Sequence, residues 1–286
     1  MNTFQRIFNL VAYEWRRSLA KKKIYVLIAL ALALQIGIFA LFNFFFTSPT
    51  QGPNITGPFL EGVKGTMWLL GVLGPQGLFI PLIAIIVAGG SMSEEYEHGT
   101  ADILLSKPIT RVEYLAGKYL GGLSLIGFVI VLITILGTVL ARGFFGPQES
   151  LQIIPAVYMA LVYANLLFFS LAFMLSEALR RTTLAYLVSI GIFIASMIVG
   201  GYLSILYAMT REQFYLDISR WLPNWSASNF PSFVVSELMT VQNSPFISVV
   251  SGDVRLAAAI IAVYSVVSVL VATVRLVKSD ITKRGD

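Results

Sequence analysis

The sequence predicts an all-α integral membrane protein with about six transmembrane helices, and three observations carry that expectation. Hydrophobic residues make up 57% of the chain and charged residues only 12%, about half the quarter that soluble domains carry. Six apolar runs, at about 24–46, 69–90, 120–141, 153–175, 184–208 and 254–274, hold no Asp, Glu or Lys and a single Arg, Arg255 at the very start of the last, and each is long enough to cross a bilayer. Between those runs the basic residues are unevenly shared.

That imbalance sets the orientation. An even number of crossings puts both termini on one side. Of the 20 Lys and Arg, Lys64, Arg142, Arg211, Arg220 and Arg255 fall on the opposite side and the rest share the side of the termini. Cytosolic loops carry the excess of Lys and Arg, so the termini are expected in the cytosol and the chain in the cell membrane. The net charge of +5 then belongs to membrane topology rather than to nucleic acid. Cysteine is absent, which excludes disulfides and thiolate metal sites. The 286 residues are filled by spans and loops, so residues 1–286 read as one transmembrane domain.

Along the chain, Phe4, Ile7, Phe8, Val11, Trp15 and Leu19 recur at helical spacing. Gln5, Arg6, Asn9, Arg16 and Arg17 fall mostly elsewhere on the wheel, the pattern of a basic amphipathic helix at the membrane interface. Such a helix either anchors the first span or also touches a cytosolic partner. The second span contains Gly71, Gly74, Pro75, Gly77 and Pro81, so its helix is expected to be kinked or broken. A break of this kind is either satisfied by neighbouring helices or builds the substrate site of an ion-coupled carrier. Gln35, Asn43 and Asn165 are the conspicuous polar residues inside the spans. Gly117 and Gly121 form a G-x-x-x-G pair, a helix-packing motif. Residues 47–68 read as an irregular outer loop. Residues 209–253, with Trp221, Pro223, Trp225, Phe230, Pro231 and Phe233, read as short helices dipping into the outer interface.

Catalytic constellations are largely missing. No G-x-x-x-x-G-K-[ST] phosphate loop is present, since Gly117-Lys118 lacks both the earlier glycine and the following Ser or Thr. With one His and no Cys, a zinc site would need mostly carboxylates, an unusual ligand set. Glu94, Glu95, Glu97 and His98 therefore read as a solvated acidic face. Neither a catalytic residue nor a metal or cofactor ligand is expected.

Residues 91–118, between the second and third spans, are longer than a helix connection requires. Ser91 with Glu94, and Thr110 with Glu113, match capping boxes. Gly99 can end a first helical piece, and Thr100 can cap a second through Leu105. Lys107-Pro108 then breaks the chain, and the third helix starts near Arg111, well before the membrane. The result is a cytosolic knuckle joined to two spans, with Ile103, Leu104 and Leu105 as an apolar surface.

Within this stretch, residues 95–111, reading EYEHGTADILLSKPITR, resemble the signature loop of type-2 ATP-binding-cassette permeases. That pattern is an acidic run, Gly-Thr, Leu-Leu-Ser, a Pro and an Arg. The resemblance covers nearly the whole chain, and is nearest to the branch with the nitrous-oxide-reductase-maturation permease and multidrug-type exporters. It implies a permease subunit of an exporter, itself without an ATPase site. ATP and Mg would bind a separate cytosolic ATPase, present in two copies, and a second permease chain would complete a homo- or heterodimer. It further implies an ATPase-coupling role for Glu94, Glu95, Glu97, Gly99, Thr100, Leu104, Leu105, Ser106, Pro108 and Arg111. Substrate-contacting residues and the substrate are not implied. Two other readings stand beside it: an ion-coupled secondary transporter using the broken second helix, and a membrane scaffold that transmits force without transporting.

Overall fold

The computed structural model describes residues 3–47, 63–101, 106, 109–239 and 252–278. Leu104, Leu105 and Pro108 of the expected coupling set lie outside them, as do most of the 47–68 loop, the second half of the Thr100–Leu105 piece and the Lys107-Pro108 break.

Among the described residues the chain is helical throughout. In order, these are α1 (Thr3–Leu19), α2 (Lys22–Thr47), α3 (Met67–Leu73), a 3₁₀ turn (Gly74–Gly77), α4 (Phe79–Gly89), the short α5 (Ser93–Glu97) and α6 (Arg111–Phe145). There follow α7 (Ile154–Leu179), α8 (Thr182–Thr210), α9 (Gln213–Arg220), α10 (Pro223–Leu238) and α11 (Val254–Lys278). Six helical stretches are long and apolar enough to cross a membrane, so the protein is an all-α, multi-pass membrane protein.

Its centre is α7, which packs against α4, α8, α10 and α11 through Ala164, Leu167, Phe168 and Phe169, all fully buried. Only 22% of the apolar window of α2, and the same of α8, is buried. The remaining apolar sides of those two helices are the surfaces that lipid or another membrane helix would cover. Arg180, in the left-handed region with φ 52°, lets α7 reverse into α8 within two residues.

The expected break in the second span is present, and its cause is a missing donor. Gly74 N–H still reaches the Leu70 carbonyl, but Pro75 has no N–H to offer the Gly71 carbonyl four residues back. Gln35, on α2, supplies that donor through its Nε2 at 2.6 Å, and the same nitrogen lies 3.0 Å from the Ile133 carbonyl of α6. A second proline repeats the problem: Pro231 lies inside α10, which leaves the Ala227 carbonyl without its helical donor. Gln76, in the 3₁₀ turn, donates to it at 3.1 Å, and Asn165 of α7 donates to Gln76 Oε1 at 2.8 Å. Of the polar residues singled out within the spans, Gln35 thus serves the break, and Asn165 holds the Gln76 that serves the gap left by Pro231. Neighbouring helices satisfy it, as bilayer physics demands of any interrupted helix. The described part of the 209–253 segment forms two helices, α9 and α10, and α10 packs among α7, α8 and α11.

Candidate functional site

In the stretch from Gly90 to Thr110, residues Gly90 to Glu97 and Thr110 are tied into the helices around them. The first tie is α1, which lies along the beginning of α6. Gly117 and Gly121 make this possible. A Cβ on Gly117 would sit 2.4 Å from Leu10 Cβ, and one on Gly121 would sit 2.7 Å from Glu14 Cβ. The G-x-x-x-G pair is therefore a seat for the amphipathic helix. The face α1 buries is Leu10, Glu14 and Ser18, while Phe4 and Phe8 stay exposed. Trp15 Nε1 adds a hydrogen bond of 2.7 Å to Ser124 Oγ on α6.

Glu14 enters a closed group of charges. Lys118, fully buried, places Nζ 2.7 Å from Glu14 Oε2 and in contact with Glu95 Oε1. Arg17 Nη1 is 2.9 Å from Glu95 Oε1, and Nη2 is 3.1 Å from Glu94 Oε2. Lys21 Nζ is 2.6 Å from the same Glu94 oxygen. Three carboxylates thus face three cations. Arg17 also donates to the carbonyls of Gly90 and of Ser91, the latter at 2.8 Å. These are orphan acceptors beyond the end of α4, where a cation is favoured by the helix dipole as well. Tyr114 donates to Glu95 Oε2, Tyr186 to Glu94 Oε1 at 3.0 Å, and Ser91 Oγ to Glu14 Oε1 at 3.2 Å.

The electrostatics of α1 follow from this packing. Burial would lower the pKa of Arg17, but Glu14, Glu95 and Glu94 together outweigh it and hold the pKa above the ordinary arginine range. Lys21 goes the other way. Burial and the neighbouring charge of Arg17 outweigh its bond to Glu94 and lower its pKa. Burial, then the Glu95 carboxylate, raise that of Tyr13.

A second set of ties runs to the α7–α8 turn. Ser176 Oγ accepts from the backbone N–H groups of Met92 and Ser93, at 3.1 and 2.9 Å, so α7 caps α5 from outside. Tyr96 donates to Glu177 Oε2 at 2.6 Å, and its ring lies 4.7 Å beneath the Arg180 guanidinium. Glu97 Oε1 accepts from Thr182 N at 2.9 Å. At the far end of the loop the Thr110–Glu113 capping box is complete, and α6 begins at Arg111. Arg111 donates to the carbonyls of Leu276 and Val277, at 2.8 and 3.1 Å, near the end of α11.

Two expectations are corrected here. Glu94 and Glu95 do not form a solvated acidic face: Glu95 is 2% exposed and both turn inward to cations, because a carboxylate leaving water requires a charged partner. Glu97 and His98 alone of that run are exposed. Nor do Ser91 and Glu94 form a capping box, since no side chain of its own N-cap closes α5. Charge-assisted bonds to Arg17 and Lys21 are stronger than the neutral cap they replace. Gly99 does end the first piece, with φ 66°, a conformation glycine adopts without strain. Thr100 Oγ1 reaches back to the Glu95 carbonyl at 3.4 Å, and Ser106 is exposed.

Sequence reasoning missed Glu14, Arg17, Lys21, Lys118, Ser176, Glu177 and Thr182. Two signals were available. Glu14 lies on the helical stripe of Ile7, Val11 and Ser18, and Lys118 stands between the two glycines of a packing motif.

Comparison with known proteins adds an independent line. A family model described as "ABC-2 family transporter protein" matches residues 8–281. A protein described as "Uncharacterized protein YhcI", from Bacillus subtilis (strain 168), is 29% identical over an alignment of 134 residues that covers 40% of this chain and 42% of the relative. The match thus spans less than half of that relative's length.

Proposed function

Because the chain belongs to the ABC-2 transporter family, we propose that it is the membrane-spanning permease subunit of an ATP-driven exporter. Its energy comes from a separate ATP-binding-cassette ATPase that carries the ATP and Mg. The supporting observation is the manner in which residues 90–97 and Arg111 are held. The charge group of Glu14, Arg17, Lys21, Glu94, Glu95 and Lys118 joins them to α1 and α6. Ser176 and Thr182 join them to α7 and α8, and Arg111 joins α6 to α11. A force applied to residues 90–97 reaches α1, α6, α7 and α8 directly through these contacts.

The roles within the expected coupling set then divide. Glu94, Glu95, Glu97 and Arg111 position the segment from inside. Gly99, Thr100, Leu104, Leu105, Ser106 and Pro108 make up the tip that meets the ATPase. Two permease chains, each meeting one ATPase, would enclose the substrate path between them, with termini and tip in the cytosol of a cell membrane. The coupling requires that the ATPase bind two arrangements of the permease with different affinity. An ion-coupled carrier is disfavoured by the break in the second span, where the carbonyl orphaned by Pro75 is taken by Gln35 rather than left to coordinate an ion.

A single cysteine at Ser106 tests the reading, since the chain has none of its own. In the assembled complex it should crosslink to the ATPase and be released or retained according to the nucleotide present. Full ATPase binding with no crosslink from any position between 99 and 108 would refute the docking tip. The purified chain alone should take no label from a photoreactive ATP analogue.

A further inference from the structure

Two cavities on one face of α11 adjoin through Leu270. The lower, of about 720 Å³, is lined by Arg180, Leu270, Val271, Val274, Arg275 and Lys278. The upper, of about 430 Å³, runs between α6, α7 and α11 past Tyr119, Leu166, Ala262, Val266 and Leu270. The lower end is basic. Arg180 is partly engaged by Glu177 at 3.6 Å. Among the described residues Arg275 and Lys278 have no carboxylate within ion-pair distance, and both are exposed. The upper groove is almost wholly apolar, because the hydroxyls of Tyr119 and Tyr163 are turned to Ser170 and the Ala258 carbonyl.

We infer that this face of α11 is a binding site for an anionic phospholipid, with the phosphate held by Arg180, Arg275 and Lys278 and an acyl chain laid along the groove. Length supports that occupant. From Ala262 to Lys278 a helix rises about 24 Å, and half a bilayer including its headgroups is about 20–22 Å. Charge supports it too, since cations at one end of an apolar groove match a phosphodiester joined to a hydrocarbon chain, and basic pockets between membrane helices select such headgroups. A soluble anion would use the basic end and leave the groove empty. A second permease chain would need a partner for the exposed cations as well as for the apolar wall. The site does not depend on docking of an ATPase.

The test uses the purified full-length chain in detergent, with native mass spectrometry to count retained phosphatidylglycerol against phosphatidylcholine. Wild type should retain phosphatidylglycerol selectively. Arg275→Gln with Lys278→Gln, both at exposed positions, should weaken retention about thirtyfold, the change expected for two lost basic contacts to an anionic headgroup. Val266→Trp, which fills the groove from an exposed position, should also reduce it while leaving the charges in place. Equal retention of the two lipids by wild type, or unchanged retention in both variants, would overturn the inference. So would inorganic phosphate competing as well as the lipid, which assigns the cations to a soluble anion. Efficient disulfide dimers of Val274→Cys in native membranes would assign the face to a second copy of the chain and overturn it equally.

Discussion

Lys118 sits with its ammonium between two buried carboxylates, 2.7 Å from Glu14 on α1 and in contact with Glu95 on the loop before α6. It is fully buried, and its neighbours on α6 are the glycine at 117 and, one turn later, the glycine at 121. The helix that must approach α6 closely enough to pack on those glycines is the helix that brings Glu14 to the lysine. Packing and charge pairing therefore meet at one place on α6.

Lys118→Met tests the charge half. It leaves Glu14 and Glu95 facing each other with only Arg17 between them, and breaking a buried pair by removing one partner costs about 3–5 kcal/mol. A large fall in the thermal unfolding midpoint in detergent is expected. Adding Glu95→Gln to Lys118→Met should cost less than the sum of the two single changes, because groups in one network couple. Strict additivity would show that Lys118 and Glu95 act independently.

Gly117→Leu tests the packing half. Even a Cβ at this position meets Leu10 Cβ at 2.4 Å, and overpacking of a tight contact costs about 1–3 kcal/mol. The six spans should still insert, but α1 should leave its seat. Protease should then gain access near Arg16 and Arg17, and limited proteolysis reads this out. Gly143→Leu, where a Cβ meets nothing within 4 Å, is the control and should leave α1 seated.

The break in the second span gives a rescue experiment. Gln35→Leu leaves the Gly71 carbonyl without a donor, and an unsatisfied buried acceptor costs about 1–3 kcal/mol. Pro75→Ala restores an N–H at the position that an unbroken helix would use. The double variant should therefore recover stability that Gln35→Leu alone loses. If Pro75→Ala worsens the Gln35→Leu protein, the orphaned carbonyl is not what Gln35 serves.

The spans, the break and the start of α6 were legible because each is a local property. Hydropathy gives the spans, proline and glycine give the break, and Thr110 with Glu113 gives the cap. The fate of Glu94 and Glu95 was not legible from their own neighbourhood. An acidic run beside a loop reads as solvated until other helices supply cations, and here these are Arg17 on α1, 77 and 78 residues upstream, Lys21 just past the end of α1, and Lys118 on α6. Ser91 shows the same limit: its spacing to Glu94 fits a cap, but both side chains had stronger partners that only the tertiary fold brings near. The identity of the helix seated on Gly117 and Gly121 was likewise invisible, because a packing motif names a close approach and no partner.

The last prediction separates positioning from docking within residues 94–111. A solvated acidic face would tolerate Glu94→Lys with Glu95→Lys, losing only about 1 kcal/mol per exposed pair. Glu95 is instead buried against Lys118 and Arg17, so Glu95→Lys places a third cation among them with no water to screen it. That protein should lose thermal stability and surface expression, and with them ATPase binding as a consequence. Leu104→Asp should behave oppositely. It alters none of the described ties among α1, α5, α6, α7 and α8, so stability should stay near wild type. ATPase binding should fall sharply if this leucine is covered by the partner, since a buried unpaired carboxylate costs several kcal/mol. Thermal unfolding of the permease alone, beside pull-down of the ATPase, distinguishes the two variants. A stable Glu95→Lys permease that merely fails to bind would return the carboxylate to the docking face. A stable Leu104→Asp permease with full ATPase binding and full coupled turnover would remove Leu104 from the docking tip.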